Sequence, residues 1–186
     1  MKKTLYLLPL MLIALSVFSA CEKDDPVIPN EEEVITTFTY ALLPQAGGDP
    51  VVLSFRDIDG DGGKAPVVEA GTLKANTTYV GEIILLNELE TPAGNITEEV
   101  KAEGVEHQFF FNTTLTDVSI AYADKDDNGK PVGLTTSLTT RNIGSGKLTI
   151  ILRHQPEKTA EGVVEGGVAN AGGETDIEVT FDLNVQ

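Results

Sequence analysis

The sequence predicts an all-β chain, folded as an antiparallel sandwich behind a cleaved export segment and an acidic linker. Three observations predict it. Short runs rich in β-branched and aromatic residues recur with loose period-2 alternation. Clusters of Gly, Pro, Asn and Asp separate them. After residue 33, no stretch sustains a helical period over several turns.

The chain opens with Lys2 and Lys3, followed by an apolar run over 5–17 broken only by Pro9 and Ser16. Small residues Ser19 and Ala20 then lead into Cys21, the only cysteine. Charge, apolar run and small pair in that order make a secretory signal, too short to span a bilayer, which takes roughly 20 apolar residues. A cysteine directly after the small pair resembles a lipoprotein signal, with Phe18 where Leu is usual. The expectation is cleavage before Cys21 and acylation of its thiol, so that the membrane is a partner through this lipid anchor. Acyl chains hold at about 0.8 kcal/mol per buried CH2. The predicted division is a signal peptide over 1–20, a lipidated Cys and acidic tether over 21–33, and a sandwich over 34–186. Lys23-Asp24-Asp25 also resembles the signal that carries Bacteroidota lipoproteins to the outer face of the outer membrane. The tether is acidic and Pro-containing, with little to bury.

The predicted strands follow in order at 34–42, 51–55, a short one within 67–73, 78–87, 105–111, 118–123, 134–140, 147–154 and 175–185. The last is the cleanest, with Ile177, Val179, Phe181, Leu183 and Val185 on one face and polar residues on the other. Residues 97–103 carry helix formers and capping chemistry, but Gly94 and Gly104 bound them, and they read as a charged connection between sheets. The Gly-rich 155–174 reads as a long mobile or Ω-type loop. Eight or nine such strands make a sandwich immunoglobulin-like in broad shape, without the Cys…Trp…Cys signature of immunoglobulin domains.

Composition narrows the function classes. There are 29 acidic against 13 basic residues, and losing Lys2 and Lys3 with the leader takes the net charge from −16 to −18. Such a surface excludes nucleic acid and charge-driven docking on anionic lipid, and favours a cation or a basic partner. Cys21 alone cannot form an internal disulfide, so a hydrophobic core or bound ions must hold the fold. No Ser sits in a G-x-S-x-G elbow, and the Gly-rich run over 162–173 has no Lys or Arg to complete a phosphate cradle. An enzyme is the least expected class.

Two candidate metal sites remain. Asp57, Asp59 and Asp61 with Gly62, and Asp124, Asp126 and Asn128 with Gly129, repeat D-x-D-x-[DN]-G. Alternate oxygens on a tight turn suit Ca2+, which takes oxygen ligands. Position twelve, a bidentate Glu in an EF-hand, is Val68 in the first loop and Thr135 in the second, so neither is an EF-hand. Asp, Asn and Gly are also the commonest turn formers. His107 and His154 are the only histidines. If their strands are neighbours, the pair together with Glu106 or Glu157 offers Zn2+ the imidazole and carboxylate ligands it takes. Otherwise they are two unrelated rim residues.

The segments Gly-Asn-Ile-Thr-Glu-Glu-Val at 94–100, Glu-His-Gln-Phe-Phe-Phe at 106–111, Leu-Arg-His-Gln-Pro at 152–156 and Asn-Ala-Gly-Gly-Glu-Thr-Asp-Ile-Glu-Val-Thr-Phe at 170–181 resemble small Bacteroidota lipoproteins. These are catalogued as "type 1 periplasmic binding fold superfamily" proteins. The resemblance covers nearly all of the chain after the leader and implies an outer-membrane lipoprotein, but brings no activity or site residue with it. A periplasmic binding fold has two α/β lobes, whereas the rhythm of these residues is that of a sandwich. The leading functional expectation is an anchored, non-enzymatic binding or accessory module on the periplasmic or cell-surface side, acting beside an outer-membrane uptake receptor. Divalent-metal handling, with Ca2+ or Zn2+, and a structural or adhesive surface module are the alternatives.

Overall fold

The computed structural model describes residues 33–186 apart from residue 61. The export segment, Cys21, the tether up to residue 32 and Asp61 lie outside the described residues. Among the described residues, ten strands and one short helix follow one another as β1 (Thr37–Pro44), β2 (Val51–Arg56), β3 (Val67–Glu69), β4 (Thr72–Leu73), β5 (Thr78–Leu86), α1 (Ile96–Ala102), β6 (His107–Thr113), β7 (Val118–Tyr122), β8 (Thr135–Thr140), β9 (Gly144–His154) and β10 (Glu174–Val185). None of these residues forms a helix long and apolar enough to cross a membrane.

The strands form two sheets, one in the order β3-β2-β1-β5-β8-β7 and the other β4-β10-β9-β6. All pairings are antiparallel except that of β10 with β4. The fold is the expected β-sandwich. Period-2 burial explains it: Phe38, Tyr40 and Leu42 of β1 are buried, as are Val179, Phe181, Leu183 and Val185 of β10, with more exposed residues between. The two inner faces meet at Phe38, whose ring lies 6.3 Å from that of Phe109 and 6.0 Å from that of Phe181. This cluster excludes water along the middle of the sandwich.

Three stretches depart from expectation. The short strand within 67–73 is two strands, β3 on the edge of the larger sheet and β4 on the edge of the smaller. Gly71 joins them where a Cβ would come within 2.2 Å of Val51 Cγ1, so glycine lets the chain pass there without displacing that side chain. The connection at 97–103 contains α1. Its Ile96 and Val100, one helical turn apart, are buried in the main core, and Thr97 Oγ1 accepts from Leu85 N–H at 2.8 Å. Tertiary burial on one side outweighs the glycines that bound it. Finally, 155–173 is a packed Ω-type loop rather than a mobile one. Val163 and Ala171 cover Phe110 and Ile151 on the outer face of the smaller sheet. The amide of Gln108 donates to Val163 C=O at 2.8 Å. Buried Lys158 donates to Gly104 C=O at 2.5 Å, Pro131 C=O at 2.9 Å and Asp126 Oδ2 at 2.9 Å.

Candidate metal centre

The inward face that carries Phe109 and Phe111 on β6 and Ile150 and Leu152 on β9 continues, two residues further, to a histidine on each strand. The register pairs Phe111 with Ile150, Phe109 with Leu152 and His107 with His154. Two imidazoles are thereby placed side by side, with ring centroids 4.5 Å apart. Both residues are buried, His107 completely.

Two carboxylates join them. Asp176 owes its place to an irregularity in β10. Thr175 pairs with Arg153 and Ile177 with Leu152, so Asp176 is an extra residue opposite the same partners. In regular alternation it would share the outer face with Glu178 and Thr180. The bulge re-aims it inward beside Ile177. Its side chain is fully buried, 3.7 Å from His107 Nε2 and 3.8 Å from His154 Nδ1. Glu33 comes from the segment ahead of β1 and packs into the compact unit Glu32–Gln186. Its Oε1 lies 2.9 Å from His107 Nε2 and its Oε2 lies 3.9 Å from His154 Nδ1.

Four potential ligand atoms, one each from Glu33, His107, His154 and Asp176, thus fall within 4.8 Å of one another. Around a tetrahedral Zn2+ with bonds of about 2.0–2.1 Å, ligand atoms stand about 3.3 Å apart. The nitrogen–oxygen distances of 2.9–3.9 Å lie around that value, each histidine facing a different oxygen of each carboxylate. The outer nitrogen of His107 is placed as a metal-bound histidine requires. His107 Nδ1 lies 3.2 Å from Glu103 C=O just past α1, which favours the tautomer leaving a lone pair on Nε2. His154 Nε2 lies 3.8 Å from half-exposed Glu106.

The electrostatics are those of a site that wants positive charge. Two carboxylates are withdrawn from water, which is unfavourable for anions unless a cation or proton accompanies them. Burial opposes the charge on both Glu33 and His107, yet their mutual contact outweighs it. His107 is held above its ordinary pKa and Glu33 below. Nε2 of His107 nevertheless lacks hydrogen-bond alignment with Glu33 despite its 2.9 Å approach. A metal ion at this point would take the Nε2 lone pair and offset both carboxylates.

The histidine pair is therefore brought together, but the two carboxylates that lie beside both rings, Glu33 and Asp176, are neither of those suggested by sequence. Glu106 stands outside the pair, and Glu157 accepts from Thr159 N–H at 3.1 Å within its own loop. In the sequence Glu33 falls in the predicted tether and Asp176 on the polar side of a regular strand. Neither position carries a signal in the sequence, since Asp176 keeps the polar alternation of Glu178 and Thr180.

The Asp loops have other partners. Asp57 Oδ1 accepts from Gly60 N–H at 2.9 Å, and Asp59 Oδ2 from Lys64 N–H at 3.1 Å. In the second loop, Asp124 accepts from Gly133 N–H at 2.7 Å and Thr135 N–H at 3.0 Å. Asp126 Oδ1 accepts from the N–H groups of Asn128 and Lys130, both at 2.9 Å, while its other oxygen holds Lys158. These are turn-closing roles, and a calcium ion at Asp126 would compete with a resident ammonium.

No protein-family model matches the chain, and no curated protein matches it. Among solved structures it is similar to domains 4 and 5 of the S-layer protein SbsC, at 14% identity over 80% of this chain and 70% of that one, with a TM-score of 0.31.

Proposed function

We propose that this chain is an exported, lipid-anchored, non-enzymatic binding module whose sandwich is completed by one divalent transition-metal ion of the zinc class. The observation that carries the metal is the convergence of Glu33, His107, His154 and Asp176 at one buried end of the smaller sheet. Two imidazoles favour Zn2+ over Ca2+, which prefers oxygen ligands throughout. Four protein ligands would fill a tetrahedral ion, the mark of a structural rather than a catalytic site. A disulfide-free domain displayed outside the cytoplasm gains most from such a staple, since metal binding energy adds to folding stability. The anchor at Cys21 and the accessory role at the outer membrane rest on the sequence alone.

The test is metal content and titration on the full chain. Dialysed protein loaded with Zn2+ is expected to retain one ion per chain by elemental analysis. Calorimetric titration should give one site that His107→Ala removes and that millimolar Ca2+ does not occupy. Zn2+ retention no greater in the wild type than in His107→Ala would sink the proposal.

A further inference from the structure

The four ligands are not equivalent in the way the fold holds them. His107, His154 and Asp176 sit on three adjacent strands of the smaller sheet, β6, β9 and β10. Their positions are set by the ladder and by the bulge, with or without an ion. Glu33 stands outside any strand, four residues ahead of β1 in the other sheet.

Thr36 is firmly tied down. Its N–H donates to Leu86 C=O at 3.0 Å, its C=O accepts from Asp57 N–H at 2.8 Å, and its hydroxyl accepts from Glu88 N–H at 2.8 Å. Ahead of it, Ile35 rests against the core while Val34 is exposed. The polar hold at the very start of the segment is the Glu33 carboxylate. The segment also forms a wall: Val34, Ile35 and Thr36, with Phe55, Leu89 and Ile177, line a cavity of about 290 Å³. Ile177 is the residue next to the bulged Asp176.

From this placement, and resting on the metal reading above, we infer that Glu33 is a metal-dependent clasp. His107, His154 and Asp176 form a three-ligand seat on one sheet. The bound ion takes Glu33, which already lies 2.9 Å from His107 Nε2, as fourth ligand and tightens the hold of the segment ahead of β1 on that sheet. Three protein ligands are a sufficient zinc seat, with water completing the tetrahedron when the fourth is withdrawn. Metal occupancy then governs the order of the cavity wall at Val34 and Ile35.

The experiment is amide hydrogen exchange on the full chain, metal-free and with saturating Zn2+, in wild type and Glu33→Ala, alongside Zn2+ titration of both. The expected result is that Zn2+ slows exchange at Val34 and Ile35 at least about tenfold in the wild type. Glu33→Ala should still bind Zn2+, at least about tenfold more weakly, without that protection. Tight Zn2+ binding with unchanged exchange at Val34 and Ile35 would overturn the clasp and leave the metal site standing. Loss of all binding in Glu33→Ala would overturn the three-ligand seat. Absence of Zn2+ binding in the wild type would overturn both readings.

Discussion

His107 and His154 face each other across β6 and β9, with ring centroids 4.5 Å apart, and Glu33 and Asp176 each lie within 4 Å of both rings. Two cationic imidazoles would repel at this distance, and two buried carboxylates would repel beside neutral ones. A single divalent ion relieves both. The consequences below follow from that arrangement and from the charge pair at Lys158.

Zinc should stabilise the fold by mass action. At a free concentration 100 times Kd, a single-site ligand adds about 2.7 kcal/mol, which raises Tm by roughly 5–10 °C for a domain of this size. A thermal melt of the full chain, first in EDTA and then with excess Zn2+, should show that rise. His154→Ala should melt at one temperature in both conditions.

Ligands and bystanders should separate in a substitution series. Asp176→Asn is expected to weaken Zn2+ binding more than about 100-fold, beyond the range typical of outer partners. Glu106→Gln, which replaces a carboxylate that lies 3.8 Å from the outer nitrogen of His154 and accepts from Gln155 Nε2, should cost less than about tenfold. Glu157→Gln should leave affinity unchanged, because its carboxylate is used within its own loop. An Asp176→Asn affinity equal to that of Glu106→Gln would remove Asp176 from the site.

Gly173 controls the end of β9. Its φ is +68°, and a Cβ there would lie 2.2 Å from His154 C=O. Gly173→Ala must therefore strain its own backbone and push the histidine's main chain aside, a loss of about 1–3 kcal/mol. Urea unfolding should show the lower midpoint, and Zn2+ titration of the same variant should show weaker binding. A zinc affinity equal to wild type would mean that His154 is positioned by its ladder alone.

The Asp126–Lys158 pair should have an acid signature. Burial works to raise the Asp126 carboxyl, but the Lys158 ammonium and the N–H groups of Lys130 and Asn128 outweigh it and hold its pKa below the ordinary value. A carboxyl depressed in the folded state stabilises above its unfolded pKa of about 3.9, and that contribution fades as pH falls through the folded value. The stability gap between wild type and Asp126→Asn should thus be constant from pH 7 to about 5 and shrink below about pH 4. Lys158→Met, which strands the buried carboxylate, should cost about 3–5 kcal/mol at pH 7. Urea midpoints across the pH series check both, and a gap that widens in acid would contradict the pairing.

Much of the fold was legible because strand signals are local. The alternation of Ile177, Val179, Phe181, Leu183 and Val185 states one inward face without knowledge of any partner, and Gly- and Asp-rich turns mark where each strand stops. What those signals lack is the identity of neighbours. The two aspartate loops looked like cation sites because Asp and Asn serve turns and ions with the same oxygens. Only the positions of Gly60, Lys64, Gly133, Thr135 and Lys158 show what those oxygens hold.

By itself, the sequence determined that the domain is built of strands, where most of them run, and that its two histidines lie in or beside two of them. Tertiary structure alone decided the rest. It put β6 against β9 in the register that sets His107 opposite His154, folded 155–173 over Phe110 and Ile151, and brought Glu33 onto the other sheet. It also turned Asp176 inward through a bulge that strict alternation would have denied. The reason is that side-chain direction along a strand depends on adjacent residues, whereas a four-ligand cluster depends on four segments far apart in the chain, joined only by ladder register and core packing.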